Sequence, residues 1–298
     1  MNGVRIDDTF AEAFDMRGTA LLITAPTERW AGIAAGSLTG FATSIIACGV
    51  EAAVDGTVAP GETPDGRPGV RVVLCAGSSG ELQKQVTNRV GQCVLTSPGS
   101  ACYAALDGEE QLNLGDALRH FGDGWQISKR LDGRRYWRIP VMDGEFVCEG
   151  KVGLTKGAVG GGNLILLARS AEAALRAAEA VAEAVLATPG AIAPFPGGIA
   201  RSGSKVGSKY KALIASTNDA FCPTLRGAGV QSALDEDTAA VLEVVIDGLS
   251  TEAVAAAMRA GLAAAAALGP ERGAHRVSAG NYGGKLGRHH YHLRDLMG

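Results

Sequence analysis

The chain is 298 residues long, 46% of them hydrophobic, with a formal net charge of −3 and a pI near 6.0. This length suffices for one large domain or two ordinary ones, and the composition is typical of a globular protein with a buried core. The small net charge excludes a globally basic surface of the kind that drives nonspecific nucleic-acid binding, so any anion site must be local. We expect neither nucleic acid nor a membrane among its partners.

The cysteines and the N-terminal segment predict a cytoplasmic protein. The six cysteines form no C-x-x-C pair and most lie in apolar runs, which indicates buried, reduced thiols. Asp7, Asp8 and Glu12 stand where a signal peptide needs basic residues followed by an apolar core. The alanine-rich stretch 253–268 is interrupted by Arg259 and is only weakly apolar, so it predicts a helix of a soluble protein rather than a membrane span.

Two β-α-β patterns occur in the first half of the chain. Residues 19–25 predict a buried strand, 27–43 a helix, and 44–50 a second strand. The next pattern begins with a strand at 70–75 and continues with a helix that Ser78 is positioned to cap.

The second half repeats this arrangement. Residues 163–168 predict a strand, and Ser170 is positioned to cap a helix whose apolar stripe is predicted to contain Leu175. After a long interruption, a strand at 241–249 precedes a helix that Ser250 is positioned to cap.

The repeated pattern predicts an α+β fold built as a tandem duplication of two ferredoxin-like (split β-α-β) sandwich lobes. The predicted lobes are residues 1–147 and 148–298, and the second carries an insertion at about 200–235. A Rossmann domain is the competing interpretation, but the glycines at 160–162 precede a strand instead of following one. The insertion is rich in Gly, Ser, Lys and Asn, and long irregular insertions in compact domains are often functional.

The insertion begins with cations in a glycine-rich loop. Four of them, including Lys205 and Lys209, fall within eleven residues beside Gly203 and Gly207. Such a loop is suited to bind carboxylates or phosphates, and a flexible, solvated loop is the alternative interpretation. A Walker loop is excluded, because the lysine comes one residue late in the run G-I-A-R-S-G-S-K that begins at Gly198.

Three further polar residues are candidates for binding or catalysis. Asn218 and Arg226 are suited to hydrogen-bond a polar heterocycle or a carboxylate, although turn chemistry explains them equally well. Glu243 lies in an otherwise apolar strand, where it either points to solvent or sits in a pocket. A pocket would raise its pKa and suit it to act as a general acid.

The C-terminal segment carries several glycines and His289, His290 and His292. The H-H-x-H spacing places neighbouring histidines on opposite faces of a strand, and no carboxylate or cysteine at ligand spacing completes a set, so we predict no metal site. The sequence also lacks a G-x-S-x-G nucleophile motif.

A succession of motifs resembles the formylmethanofuran:tetrahydromethanopterin formyltransferase family over nearly the full chain. The segments that carry the resemblance are, in order, NGVRIDDTFAEAF, TGFATSIIACGVEA, ETPDGRPG, RVGQCVLTSP, HFGDGW, PFPGGIARSGSKVGSKY, KALIASTNDAFCPTLR, EVVIDGLS and SAGNYGGKLGRHHYHL. The resemblance implies two ferredoxin-like lobes, no prosthetic group, and a homodimer or homotetramer with active sites near the subunit contacts.

The resemblance also implies direct formyl transfer between N5 of tetrahydromethanopterin and the amine of methanofuran, both bound as substrates. The modest acidity and the abundance of Ala and Arg differ from salt-adapted archaeal members and favour a bacterial methylotroph. There the similar subunit works in a formyltransferase/hydrolase complex that releases formate. Two alternatives stay open: a noncatalytic scaffold subunit that carries methanofuran, and a nucleotide-binding ferredoxin-like module.

Within this chemistry the resemblance implies that Glu243 is the acid that protonates the leaving amine and hydrogen-bonds the tetrahedral intermediate. We expect Ser202 and Ser204 to face the oxyanion, and Lys205 and Lys209 to receive carboxylates of methanofuran or of the pterin tail. The remaining expected substrate contacts are Asn218, Arg226, Asn281 and Lys285.

Overall fold

The computed structural model describes residues 1–297, and its mixture of helices and strands confirms the predicted α+β class. Within that range the α-helices are α1 (Glu28–Thr39), α2 (Ile45–Cys48), α3 (Ser79–Arg89), α4 (Gly115–Leu118), α5 (Ala171–Leu186), α6 (Thr251–Leu268) and α7 (Leu293–Leu296). The strands are β1 (Arg5–Ile6), β2 (Phe10–Thr24), β3 (Glu51–Val58), β4 (Gly69–Ala76), β5 (Ala101–Ala104), β6 (Glu110–Asn113), β7 (Ile127–Leu131), β8 (Arg134–Val141), β9 (Gly144–Glu149), β10 (Lys151–Ala168), β11 (Ala191–Ile192), β12 (Ser204–Val206), β13 (Ala215–Thr217), β14 (Ala240–Gly248), β15 (Arg276–Ser278) and β16 (His289–His292).

The chain divides into two compact units. The first unit contains residues 1–14, 159–247 and 251–297, and the second contains residues 15–158 and 248–250. Both units are discontinuous along the chain, so their limits differ from those of a single cut between residues 147 and 148. That cut stays a prediction.

The second unit contains a sheet in the order β3-β4-β2-β5, and these neighbours are antiparallel. Alternate residues of this sheet, such as Leu21 and Leu74, are buried in one core with Leu38 of α1 and Leu82 of α3. The two helices therefore cover the same face of the sheet. Strand β9 continues the sheet parallel to β5, and β8 and β7 follow it as antiparallel neighbours.

The first unit contains the corresponding order β11-β14-β10-β15. Leu166 of β10 and Ile246 of β14 are buried in one core with Val181 of α5 and Met258 of α6. Strand β1 is parallel to β15, and β16 pairs with β2 at residues 10–13 in antiparallel orientation. The candidate site is built on β14 of this unit.

Helix α6 is the one helix of residues 1–297 whose length and composition would allow it to cross a membrane. Its face with Val254, Met258 and Leu262 is buried in the core of the first unit. The helix also packs against α5.

The predicted helix caps at Ser78 and Ser170 are confirmed. The Ser78 hydroxyl accepts a hydrogen bond from the Glu81 N–H at 3.2 Å, and the Ser170 hydroxyl accepts one from the Ala173 N–H at 3.1 Å. Each bond satisfies one of the backbone donors that a helix N-terminus leaves without an intrahelical partner.

The strand predicted at residues 44–50 is wrong. Ser44 caps the short helix α2, Gly49 ends it in the left-handed region at φ 74°, and the strand begins only at Glu51. A short apolar run has no periodicity that separates a strand from one turn of helix, and here the cap residues decide the outcome.

The predicted apolar stripe of α5 is also wrong at Leu175, whose exposed fraction is 46%. The buried face is instead shifted and consists of Ala173, Ala174, Ala177, Ala178, Val181 and Val185. A Cβ on Gly261 of α6 would lie only 3.0 Å from Val181 Cγ1, so the two helices approach closely. Close packing selects the alanine-rich face over the face with the larger leucine.

Ser170→Ala is expected to lower the free energy of unfolding by about 1 kcal/mol, because the Ala173 N–H loses its acceptor. Urea unfolding followed by circular dichroism measures this change. Ser170→Asp keeps an acceptor at the cap and is the matched control. Equal destabilisation by the two substitutions would contradict the capping role.

Candidate functional site

Glu243 lies on β14 and lines a small cavity of the first unit. Its N–H donates to the Ala200 carbonyl at 2.9 Å, and the Ala200 N–H donates to the Glu243 carbonyl at 2.8 Å. The start of the insertion is thereby fixed antiparallel to β14. The cavity has a volume of about 40 Å³, and its lining also includes Asn218, Phe221 and Cys222.

The Glu243 side chain is half-buried and its carboxylate has no compensating partner among the described residues. Burial raises its pKa to about 7. Among residues 1–297 we find no hydrogen bond and no ion pair to this carboxylate, and nothing therefore offsets the cost of its charged form. A Cβ on Gly203 would lie 2.7 Å from Glu243 Oε2, so the backbone of the insertion passes directly over the carboxylate.

The loop after Gly203 is a regular hairpin. Strands β12 and β13 are antiparallel, with Lys205 opposite Ser216. The Asn218 N–H donates to the Gly203 carbonyl at 2.8 Å, and the Ser216 hydroxyl donates to the Gly207 carbonyl at 2.7 Å. These bonds order the base of the hairpin, whereas its tip at residues 209–214 is exposed to solvent.

The lysines of the hairpin have different surroundings. The Lys205 ammonium is paired with the Asp219 carboxylate, and the hydrogen bond from Lys205 lowers the pKa of Asp219. Lys209 and Lys211 are exposed and flank Tyr210, whose exposed fraction is 74%. The charge of Lys205 is thus already compensated, whereas Lys209 faces solvent.

The remaining predicted residues of the insertion are placed at different distances from the cavity. Ser202 and Ser204 are exposed and flank Gly203, and the half-buried Asn218 lines the cavity. The Arg226 guanidinium instead donates to the carbonyls of residues 235, 236 and 238, at 2.6 Å and 3.2 Å for the first two. Arg226 fastens the end of the insertion and is absent from the described lining of the cavity.

One cluster of the described residues has ligand atoms close enough for a metal ion. Possible ligand atoms of Asp235, Asp237 and His275 lie within 4.8 Å of one another. Arg5 donates two hydrogen bonds to Asp235, at 2.8 Å and 2.7 Å, and Arg276 approaches the same carboxylate at 3.3 Å. These guanidinium groups supply the positive charge that a cation would otherwise bring, so we assign no metal to the cluster.

Sequence reasoning missed the role of Glu12, whose exposed fraction is 1%. Its carboxylate accepts four backbone N–H bonds, from Tyr282 and Gly284 at 2.6 Å and 2.8 Å and from Leu286 and Gly287 at 2.6 Å and 2.7 Å. Burial alone would raise the pKa of Glu12, but these hydrogen bonds lower it to about 2. The glycine-rich C-terminal loop is therefore folded around an internal anion.

Asn281 and Lys285 both lie in this C-terminal loop. The Asn281 side-chain amide donates to Thr9 Oγ1 at 3.1 Å and to the Phe10 carbonyl at 3.2 Å, and its oxygen accepts from the Gly283 N–H at 3.1 Å. Lys285 is exposed. For Glu12, the one signal in the sequence was the run FAEAF. Alternation along a strand places this carboxylate on the same face as Phe10 and Phe14.

Comparisons with known proteins give a consistent picture of the whole chain. The family model described as formylmethanofuran-tetrahydromethanopterin formyltransferase matches residues 1–141, and the model described as FTR, proximal lobe, matches residues 144–296. The chain is 58% identical to a formylmethanofuran–tetrahydromethanopterin formyltransferase of Methylococcus capsulatus, with 100% of the chain and 99% of the relative covered. It is 57% identical to one of the subunits of the formyltransferase/hydrolase complex of Methylorubrum extorquens, with coverage of 100% and 97%.

A solved structure is similar over the same length. It is the crystal structure of the formyltransferase/hydrolase complex of Methylorubrum extorquens with methylofuran, matched with a TM-score of 0.97 and 56% identity over 100% of this chain and 98% of the other. The sequence identity and the structural similarity thus extend over the same residues, the entire chain. The chain belongs to the formylmethanofuran-tetrahydromethanopterin formyltransferase family.

Proposed function

We propose that this chain transfers a formyl group between N5 of tetrahydromethanopterin and the amine of methanofuran, in one-carbon metabolism. The family membership supports the reaction, and both carriers act as substrates. The structural observation that carries the proposal is Glu243, a half-buried glutamate beside a cavity, whose pKa is raised to about 7. The names of the relatives favour this activity over a noncatalytic scaffold and over a nucleotide-binding module.

The transfer sets three tasks for the site. One nitrogen attacks the formyl carbon, a tetrahedral intermediate with a negatively charged oxygen forms, and the other nitrogen leaves. The site must align the carriers, stabilise the oxyanion and protonate the leaving amine. The alkylamine of methanofuran cannot leave as an anion, so a proton donor is required when methanofuran is released.

Glu243 is suited to be that donor. A carboxyl group with a pKa near 7 is about half protonated at neutral pH, whereas an unperturbed glutamate is almost fully ionised. The neutral form donates a proton to the departing nitrogen, and the resulting carboxylate receives a proton from the attacking amine in the reverse direction. Burial therefore gives one side chain both roles.

The other predicted contacts form the remainder of this proposal. Ser202 and Ser204 flank the backbone above Glu243 and are assigned to the oxyanion, with Asn218 beside them in the cavity lining. Lys209 is exposed and is assigned to substrate carboxylates. The further assigned contacts are Lys205, which must exchange Asp219 for the substrate, Arg226, Asn281 and Lys285.

We further propose that the fold arose as a tandem duplication of two ferredoxin-like lobes, residues 1–147 and 148–298. Each unit contains two helices and four strands in the chain order β-α-β-β-α-β, and the second strand of that order lies at the sheet edge beside the third. The family models that match the two halves of the chain support the same division. Residues 148–298 joined through a flexible linker to residues 1–14, which belong to the same compact unit, are expected to unfold as one cooperative domain, and their failure to fold would count against the division.

We also propose that the chain is a homodimer or homotetramer in the cytoplasm and joins hydrolase subunits in a larger complex. The relative in Methylorubrum extorquens is itself a subunit of such a complex, which supports the partner assignment. Light scattering of the purified chain, alone and after co-purification with the hydrolase subunits of its own cell, measures both masses. A monomer that never co-purifies would contradict the assembly.

The purified chain alone is expected to transfer formyl from formylmethanofuran to tetrahydromethanopterin. The absorbance change on formation of formyltetrahydromethanopterin measures the rate. The noncatalytic scaffold predicts no transfer under these conditions. Thermal stabilisation by ATP without any effect of the pterin would instead favour the nucleotide-binding module.

Glu243→Gln is expected to lower kcat by about 100-fold, within the range that removal of a general acid produces. In the wild type, the activity that depends on the acid falls as the pH rises through about 7, because Glu243 then loses its proton. The variant should lack this limb of the pH profile. Full turnover of Glu243→Gln between about pH 5 and pH 9 would exclude the acid role.

Gly203→Ala is expected to lower kcat/KM by about tenfold, because the new Cβ would meet Glu243 Oε2 at 2.7 Å and push the hairpin away from the carboxylate. Steady-state kinetics with both carriers measures the loss. Gly207→Ala is a control in the same hairpin, since a Cβ there meets nothing within 4 Å, although its φ of 83° strains any side chain. A smaller effect at Gly203 than at Gly207 would contradict the close-approach argument.

A further inference from the structure

The segment 280–287 forms a nest of backbone N–H groups around a side chain of the protein itself. Concave arrangements of N–H groups are typical binding sites for external anions. Here the anion is the Glu12 carboxylate, which receives all four donors at 2.6–2.8 Å. A Cβ on Gly287 would collide with the Ala13 carbonyl oxygen, so the backbone contact on this side requires glycine.

The start of the segment is also tied down. The Glu12 N–H donates to the Gly280 carbonyl at 3.1 Å, and the Gly280 N–H donates to Asn163 Oδ1 at 2.7 Å. Tyr282 is the first residue of the segment whose N–H reaches the Glu12 carboxylate. The backbone of Tyr282 is thus fixed, while its side chain keeps an exposed fraction of 37%.

Contacts lead from the Tyr282 side chain to the strand of the candidate acid. The centroids of the Tyr282 and Phe14 rings lie 6.1 Å apart. Phe14 in turn packs beside the backbone of Gly161, since a Cβ added to Gly161 would lie 3.4 Å from Phe14 Cδ2. The Gly161 N–H donates to Asp247 Oδ1 at 3.0 Å. Asp247 and Glu243 are four residues apart on β14 and therefore point to the same face.

The hydroxyl of Tyr282 is held in its neutral form. Burial is the largest cause that raises the pKa of Tyr282, and the negative charges of Glu243 and Glu12 raise it further. A tyrosine in this environment keeps its proton at neutral pH and acts as a hydrogen-bond donor.

We propose that Glu12 is a positioning residue for formyl transfer: it folds segment 280–287 around its carboxylate and so holds Tyr282 on the face of Glu243, where the hydroxyl hydrogen-bonds the formyl oxygen. The inference rests on the proposed function. Tyr282 contributes only a donor to the oxygen that becomes negative in the tetrahedral intermediate, and the proton stays on the hydroxyl. Glu243 donates the proton to the leaving amine.

Tyr282→Phe removes the hydroxyl and keeps the ring against Phe14. We expect a loss of about 100-fold in kcat, with little change in KM and in the melting temperature, since removal of one oxyanion donor costs about 100- to 1000-fold in rate. An unchanged kcat would overturn the proposal without any appeal to folding, because the half-exposed ring remains in place.

Glu12→Gln and the double variant Glu12→Gln/Tyr282→Phe test whether Glu12 acts through Tyr282. We expect Glu12→Gln to lower kcat by about 10-fold or more and the double variant to lose little beyond Tyr282→Phe alone, because coupled residues are not additive. Additive losses would overturn the positioning role. Glu12→Asp keeps the charge on a shorter side chain and replaces Glu12→Gln in this cycle if that variant does not fold.

The matched control is Glu149→Gln in the second unit. Glu149 has an exposed fraction of 5%, accepts from the Ala104 N–H at 3.0 Å and pairs with Arg134 at 3.1 Å. Its substitution costs stability as at Glu12 but should leave kcat within about twofold. A comparable fall in kcat for Glu149→Gln would reduce the Glu12 effect to destabilisation and overturn the proposal.

Hydrogen exchange separates this inference from the proposed function. The amides of residues 282, 284, 286 and 287 should be strongly protected in the free wild type and lose protection in Glu12→Gln. Retained protection overturns the proposal even where the enzyme is active. A wild type with protected amides and no formyl transfer overturns the proposed function, and with it the role of the Tyr282 hydroxyl.

Discussion

The structure of the first unit depends on the cost of removing a carboxylate from water. Glu12 is buried and Glu243 is half-buried, and their pKa values are about 2 and about 7. Glu12 receives four backbone N–H bonds, which favour its charged form more than burial penalises it. Glu243 receives no such donors among the described residues, so burial alone sets its pKa. One carboxylate thereby becomes a fixed structural anion, and the other a group that can exchange a proton near neutral pH.

The same logic applies to the cations of the insertion. Lys205 is neutralised by Asp219, and Arg226 is engaged by backbone carbonyls, so both stabilise the path of the chain. Lys209 has no such partner among the contacts described and is exposed at the end of the hairpin. The cations of the insertion therefore fall into two kinds: those with internal partners, which stabilise the fold, and those exposed to solvent. Only the second kind can bind a substrate anion without first breaking an internal pair.

Local signals in the sequence were reliable where they depend on neighbouring residues. The caps at Ser78 and Ser170 were predictable, because a capping hydroxyl needs only the N–H three residues later. The strand predicted at 44–50 was wrong, because so short a segment carries no decisive period and Gly49 ends a helical turn there. The prediction placed Leu175 on the buried face of α5, but Leu175 is exposed. Helix α6 approaches α5 so closely at Gly261 that small alanine side chains, rather than the larger leucine, form the contact face.

The sequence by itself determined the α+β class, the four long helices, the last part of the two longest strands, the resemblance to the formyltransferase family and Glu243 as the candidate acid. The elements depend on periodicity and capping within short stretches of the chain, and the resemblance depends on the order of motifs along nearly the full chain. The tertiary structure alone decided that Gly203 covers Glu243, that Asp219 neutralises Lys205 and that Glu12 anchors the segment 280–287. Glu12 and Gly287 are 275 residues apart, and no local pattern reveals which distant N–H groups will solvate a buried charge.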